Sequence, residues 1–203
     1  MSFLMKIVVL GEQNVGKRSL IDRVFYPRYS RKTKVMNAEW VAAGFSSTIY
    51  ERKIGLHLIK FQVWILNPIL SKKRQLVIFL EKSKINTLGG FYCFGAMGAI
   101  VVFDITNKQS FRNVQRWIKL VWKNNGRGLI PITIVESKID LRESNIFSIS
   151  SEKGLELAEK FTKQTLAFDF RVNYKEASVN GKTMDFGEIF QELGQFYIES
   201  INL

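Results

Sequence analysis

Met5-Lys6-Ile7-Val8-Val9-Leu10 runs directly into Gly11-Glu12-Gln13-Asn14-Val15-Gly16-Lys17, and a helical pattern follows from Arg18 to Phe25. An apolar strand, a loop with a glycine near each end, a lysine and then a helix is the sequence form of a phosphate cradle. The glycines allow a tight turn, the loop's backbone N–H groups can encircle phosphate oxygens, and Lys17 adds a positive charge. The helix turns the positive end of its dipole toward the same place. Gly11, Gln13, Asn14, Val15, Gly16, Lys17, Arg18 and Ser19 are therefore the first set of expected nucleotide-binding residues.

Downstream the chain keeps alternating. Phe45 to Lys53 and Leu56 to Leu66 have the period of strands, with Gly55 between them, and predict a hairpin. Ala99-Ile100-Val101-Val102-Phe103 is continuously apolar, as a strand covered on both faces must be. Phe111, Val114, Trp117, Ile118, Val121 and Trp122 recur at helical spacing, and Ile130 to Val135 predicts another buried strand. Leu155, Leu157, Ala158 and Phe161 mark a helix, Phe168 to Val172 a short strand, and Phe186, Ile189, Phe190, Leu193 and Phe196 a last helix. After one hairpin, strands and helices alternate. That order predicts an α/β fold with a mainly parallel sheet and helices on both faces, as a single domain over 1–203.

The composition is that of a globular chain with a core of its own. Hydrophobic residues make up 46% of its 203 positions and charged residues 24%. One cysteine, Cys93, and one histidine, His57, exclude a disulfide framework, a multi-thiolate zinc site and a histidine cluster. Cys93 is expected in the core, and His57 at the surface or on an edge. No apolar stretch approaches the ~18 residues of a membrane span. The charge is less ordinary, because 30 Lys+Arg against 18 Asp+Glu gives +12 and suggests an anionic partner. The counter-reading is that the lysines and arginines are spread over solvated faces.

Three later segments carry a family resemblance. Gly95 to Thr106 with Ser110-Phe111 and Val114 to Trp117 resembles the fourth strand and third helix of Ras-like small GTPases, Rab proteins especially. Ser137-Lys138-Ile139-Asp140 resembles their guanine-reading NKxD motif, and Glu176-Ala177-Ser178 their last loop, ETSAK. The resemblance implies a P-loop small GTPase fold with about six strands and roughly five helices, binding GDP or GTP. It implies that Asp140 accepts the ring N–H and amine of guanine, that the stem of Lys138 lies on the purine face, and that backbone N–H groups near Ser178 and Val179 meet the guanine oxygen. Ser137 stands in the family's Asn place and brings no side-chain amide.

The chain departs from the family at the metal and the attacking water. The hydroxyl that follows the loop lysine and binds Mg²⁺ is replaced by Arg18. If Gln62-Val63-Trp64 ends the third strand, Ile65 takes the metal-side Asp place, Pro68 the γ-phosphate-sensing Gly place and Ile69 the water-orienting Gln place. No threonine falls in register before the second strand. Mg²⁺ is not expected at these positions, no catalytic residue is assigned, and hydrolysis is expected to be weak or lost. Both switch segments, about 28–44 and about 65–90, are enlarged, and the second carries Ser71-Lys72-Lys73-Arg74 and Lys82-Ser83-Lys84. They suggest effector or regulator proteins, or an anionic membrane surface, as partners, with no nucleic acid expected.

The expected function is a divergent Rab-like guanine-nucleotide module of membrane traffic or signalling, cytoplasmic and peripheral on endomembranes. The residues Tyr197 to Leu203 contain no cysteine, so no prenyl acceptor is expected there. Two alternatives stand beside this reading. One is an active switch cycling between GTP and GDP. The other is a pseudo-GTPase scaffold that binds no nucleotide and uses its basic surface.

Overall fold

The Gly98–Asp104 run has no polar side to turn to water, so its strand has to lie inside a sheet with both faces covered. A computed structural model of the chain describes residues 1–25, 45–66, 92–165, 172–180 and 187–201. In it β1 (Ser2–Leu10) leads to α1 (Lys17–Phe25), β2 (Phe45–Ile54) and β3 (His57–Leu66) follow, and then come β4 (Gly98–Asp104) and α2 (Lys108–Asn124). β5 (Ile132–Ser137), α3 (Ser151–Thr165), β6 (Val172–Ala177) and α4 (Gly187–Ile201) complete the order. The described residues thus hold four α-helices and a short 3₁₀ turn, Ile139–Leu141, where roughly five helices were expected.

The six strands form one sheet in the order β2-β3-β1-β4-β5-β6. Only the β2–β3 hairpin is antiparallel, with Ile54 opposite His57 and Gly55 at φ +57° in the turn. Every other pairing is parallel. Alternation along β1 feeds two cores. Val8 and Leu10 pack with Val114, Trp117 and Ile118 of α2 and Leu157 and Phe161 of α3. Ile7 and Val9 face the other way, onto Leu20 and Ile21 of α1 and Ile189, Phe190 and Leu193 of α4. Because β1, β4, β5 and β6 are parallel, their C-terminal ends meet at one edge of the sheet, the place where open α/β sheets bind ligands.

Several expectations shift. β5 is displaced two residues toward its C-terminus, since Pro131 has no N–H for the ladder and the strand extends instead through Glu136 and Ser137. β6 begins at Val172, where the expected strand ended, and 166–171 lie outside the described residues. Among the described residues this strand pairs only with β5, and it is half-exposed along most of its length, so Asn173, Lys175 and Glu176 hide its period from a search for apolar runs. β3 continues to Leu66, which leaves Ile65 buried inside the strand and not just beyond it. Cys93 is fully buried as expected, and burial pushes its thiol up to about 12, with Lys6 opposing. His57 is half-buried at the start of β3, its ring 5.5 Å from that of Phe3. The first enlarged switch, 28–44, and residues 67–90 of the second lie outside the described residues, and with them Pro68, Ile69 and both lysine-rich segments.

Candidate functional site

The loop between β1 and α1 is shaped by backbone angles that only certain residues tolerate. Gly11 has φ +139°, and a Cβ there would stand 2.2 Å from the carbonyl oxygen of Val102. No side chain fits. Asn14 at φ +61° and Gly16 at φ +91° turn left-handed on the way into the helix. Successive turns of this kind aim N–H groups inward and make an anion-binding concavity. Val15 is buried beneath the loop, while Gln13 is exposed on it.

Lys17 opens α1 with only 4% of its surface exposed. Its Nζ donates to the carbonyl oxygens of Gly11 at 2.9 Å and Glu12 at 2.5 Å, so the lysine holds its own loop closed. Burial pushes its pKa down to about 8, and the Glu12 carboxylate works against that shift. Glu12 is in turn fixed by the Asn113 amide of α2 at 2.8 Å. Next to the loop lies a cavity of about 320 Å³ lined by Asn14, Gly16, Lys17, Arg18, Ser19 and Lys138. Among the described residues three cations and no carboxylate line it. Arg18 is half-buried, and one turn along α1 its charge draws down the Asp22 carboxyl that burial raises.

The second wall of the site comes from the ends of β5 and β6. Lys138 sits at φ +62°, an unusual angle for a residue with a side chain, and caps the 3₁₀ turn that presents Asp140. Its Nζ pairs with Asp104 at 2.5 Å, and Asp104 also accepts from the Thr106 amide and hydroxyl at 2.8 Å. Lys138 is thereby pinned over the cavity it lines. The Ser178 hydroxyl donates to Asp140 Oδ1 at 2.5 Å and the Asn180 amide to Oδ2 at 3.1 Å, which lowers the Asp140 pKa and keeps it ionised. Arg23 of α1 donates to the carbonyl oxygens of Ser178 (3.0 Å) and Val179, tying the last loop to the first helix.

Ser137 joins the two walls. It is buried, and its hydroxyl lies 2.7 Å from the carbonyl oxygen of Val15 in the phosphate loop and 2.8 Å from that of Phe103. The residue without an amide thus still braces the loop. Every sequence-assigned residue from Gly11 to Ser19, and from Ser137 to Val179, gathers at this edge of the sheet. Sequence reasoning missed Asp104, Asn180 and Arg23 as supports. Asp104 lay within the quoted strand and Asn180 directly after Val179, but nothing in the sequence links Arg23 to a loop 155 residues away.

Mg²⁺ seeks oxygen ligands, and the described residues do not fit it. Where the resemblance implies a ligand hydroxyl the chain has the cation Arg18, and where it implies a carboxylate it has Ile65, which is buried within β3. Among the described residues no group of three His, Cys, Asp or Glu side chains could hold a metal ion. No helix among them is long and apolar enough to cross a membrane.

Known proteins agree with this architecture. Residues 82–196 match the family model described as Ras family. The chain is similar to "Ras-related protein Rab-11B" of Dictyostelium discoideum, at 30% identity over 80% of this chain and 64% of that protein. It is 30% identical to "Ras-related protein RGP2" of Oryza sativa subsp. japonica over 87% of this chain and 72% of that one. With "Ras-related protein Rab-25" of Bos taurus it shares 27% identity over 95% of this chain and 91% of that one. The left-handed phosphate loop, the Asp140 turn and the parallel six-stranded sheet have a common explanation in these likenesses: the chain belongs to the Ras family of small GTPases and is Rab-like.

Proposed function

We propose that this chain is a guanine-nucleotide-binding module of membrane traffic or signalling that holds GDP or GTP with little need for Mg²⁺ and hydrolyses GTP slowly or not at all. Ras-family GTPases bind GDP and GTP, which supports the nucleotide. One observation carries the rest: a cavity lined, among the described residues, by Lys17, Arg18 and Lys138 and by no carboxylate, beside a turn that presents ionised Asp140. A nucleoside diphosphate brings about three negative charges, and Mg²⁺ ordinarily offsets two of them. Here the Arg18 guanidinium takes over part of that role, since a guanidinium can fork onto phosphate oxygens with paired hydrogen bonds. Asp140 selects guanine because adenine offers it no matching pair of donors.

Slow turnover follows from the sequence at 68 and 69. Pro68 has no N–H to sense a γ-phosphate, and Ile69 cannot orient water. The purified protein is expected to turn over GTP at the unassisted rate of small GTPases, on the order of 10⁻⁴ s⁻¹, or more slowly.

Two measurements test the reading. Denaturing the purified protein and chromatographing what it releases should yield GDP or GTP. Titration with a fluorescent GDP analogue in EDTA should match titration in Mg²⁺, and Arg18→Ser should weaken binding in EDTA. Nucleotide stripped by EDTA, or tighter binding by the serine variant in EDTA, would show the arginine to be an obstacle. An empty protein that binds neither GDP nor GTP would leave the scaffold alternative standing.

A further inference from the structure

Helix α2, Lys108–Asn124, contains no acidic residue. Its basic residues are Lys108, Arg112, Arg116, Lys119 and Lys123, spaced by four, four, three and four positions. At about 100° per residue these fall within an arc of about 80°, along roughly 22 Å of helix. The buried residues Ser110, Val114, Trp117, Ile118 and Val121 occupy the opposite side, so the cations stand straight out from the sheet. All five are exposed, and none forms an ion pair among the described residues. A solvated helix face ordinarily mixes both signs, which add stability at i,i+4 spacing, and this face forgoes that contribution.

Apolar groups stand at both ends of the stripe. Lys108 Nζ lies 5.6 Å from the ring centroid of Phe147, whose ring is exposed beside Ile146, itself 89% exposed. At the other end the exposed ring of Phe94 lies against Gly126, where a Cβ would come within 2.9 Å of it. Cations in a row attract an anionic surface, and bare hydrocarbon beside them gains by entering the boundary between headgroups and acyl chains. Nucleic acid would use the cations and leave Ile146 and Phe147 in water. We infer that the α2 stripe, with Ile146 and Phe147, is a docking face for an anionic lipid bilayer. No residue of the lysine-rich segments of the second switch enters this assignment, which stands whether or not the pocket holds nucleotide.

Flotation of the full chain with phosphatidylcholine–phosphatidylserine vesicles at about 0.15 M salt tests the inference. The parent should float with these vesicles and stay behind with phosphatidylcholine alone. The triple variant R112E/R116E/K119E should lose at least about tenfold in partitioning, at a cost per cation that membrane-bound polybasic segments typically show. The triple variant K53E/K153E/K163E changes net charge equally on β2 and α3, off the α2 stripe, and it should stay within about twofold of the parent if placement and not bulk charge governs binding. I146S/F147S keeps every charge and should bind more weakly than the parent. Circular dichroism confirms that each variant is folded. Equal losses in the two charge variants, or unchanged binding by I146S/F147S, would overturn the assignment. So would binding of a duplex oligonucleotide at this salt by a protein that does not float with the anionic vesicles.

Discussion

The two walls of the pocket are held in different ways. At the base wall the side chains are braced: Asp140 receives Ser178 and Asn180, and Lys138 is locked by Asp104. At the phosphate wall the backbone sets the form, with Gly11 pressed against Val102 and left-handed turns at Asn14 and Gly16, while in the proposed reading Arg18 and Ile65 stand in for the metal-side chemistry. Backbone shape and side-chain chemistry are separable here. A loop geometry fixed by close approach cannot drift without unfolding the turn. A metal ligand can be exchanged for a cation, provided that the pocket's charge still balances an anion.

The largest expected effect lies at the base wall. Asp140→Ala removes the paired acceptor for the guanine ring N–H and amine, and sites built on such pairs discriminate by about 10⁴-fold or more. Parallel titrations of parent and variant with GDP and ADP should show guanine preference collapsing toward unity, with ADP affinity little changed. If the variant retains the parent's GDP affinity, the base wall lies elsewhere and the contrast between the two walls fails.

The second effect concerns what lies under the base wall. Glu136, just before Ser137 on β5, is fully buried, and Arg142 reaches its Oε1 at 2.8 Å while Oε2 has no partner among the described residues. Burial pushes its carboxyl from an ordinary 4.5 up to about 7, Arg142 pulls it down, and Glu176, 3.4 Å from the same guanidinium, raises it again. In that interval the folded state holds a proton that the unfolded chain has released. Stability is therefore full below pH 4.5 and is lost as pH rises through about 7. Glu136→Gln keeps the shape without the titration. Urea unfolding should find the two proteins alike near pH 5 and the variant more stable near pH 8, by up to about 3 kcal/mol. A variant less stable at pH 8 would mean that the Arg142 pair outweighs the cost of burial.

Much of this was legible in the sequence, and the reasons are physical. Gly11, Gly16 and Lys17 announce themselves because a phosphate loop needs particular residue types at fixed local spacing, and β4 does so because a doubly covered strand must be apolar throughout. β6 did not. Among the described residues it is an edge strand whose half-exposed Asn173, Lys175 and Glu176 look like loop, so the apolar run predicts its start too early, and Glu176, expected in a loop, lies within the strand. The brace from Arg23 to the last loop was hidden for another reason. It joins elements that meet only after the sheet has formed, and an arginine near the end of an amphipathic helix is unremarkable until then.

The smallest effect falls on the seam between the walls. The Ser137 hydroxyl has a single proton and lies within hydrogen-bond reach of two carbonyl oxygens, Val15 at 2.7 Å and Phe103 at 2.8 Å, so it serves one at a time or shares between them. An asparagine amide has two N–H groups and could serve both. Ser137→Ala removes the bond and leaves the Val15 carbonyl without its brace, which should lower stability by about 1 kcal/mol. The phosphate loop loses a support that it needs to stay preformed, and a cost of that size corresponds to about a fivefold loss of nucleotide affinity. The loss should be the same for GDP and ADP, because Ser137 supports the wall that holds phosphate and touches no base-reading group. Calorimetric titration with both nucleotides separates the cases. A loss confined to GDP would mean that Ser137 belongs to the base wall, and the boundary between the two walls would have to be drawn on the other side of it.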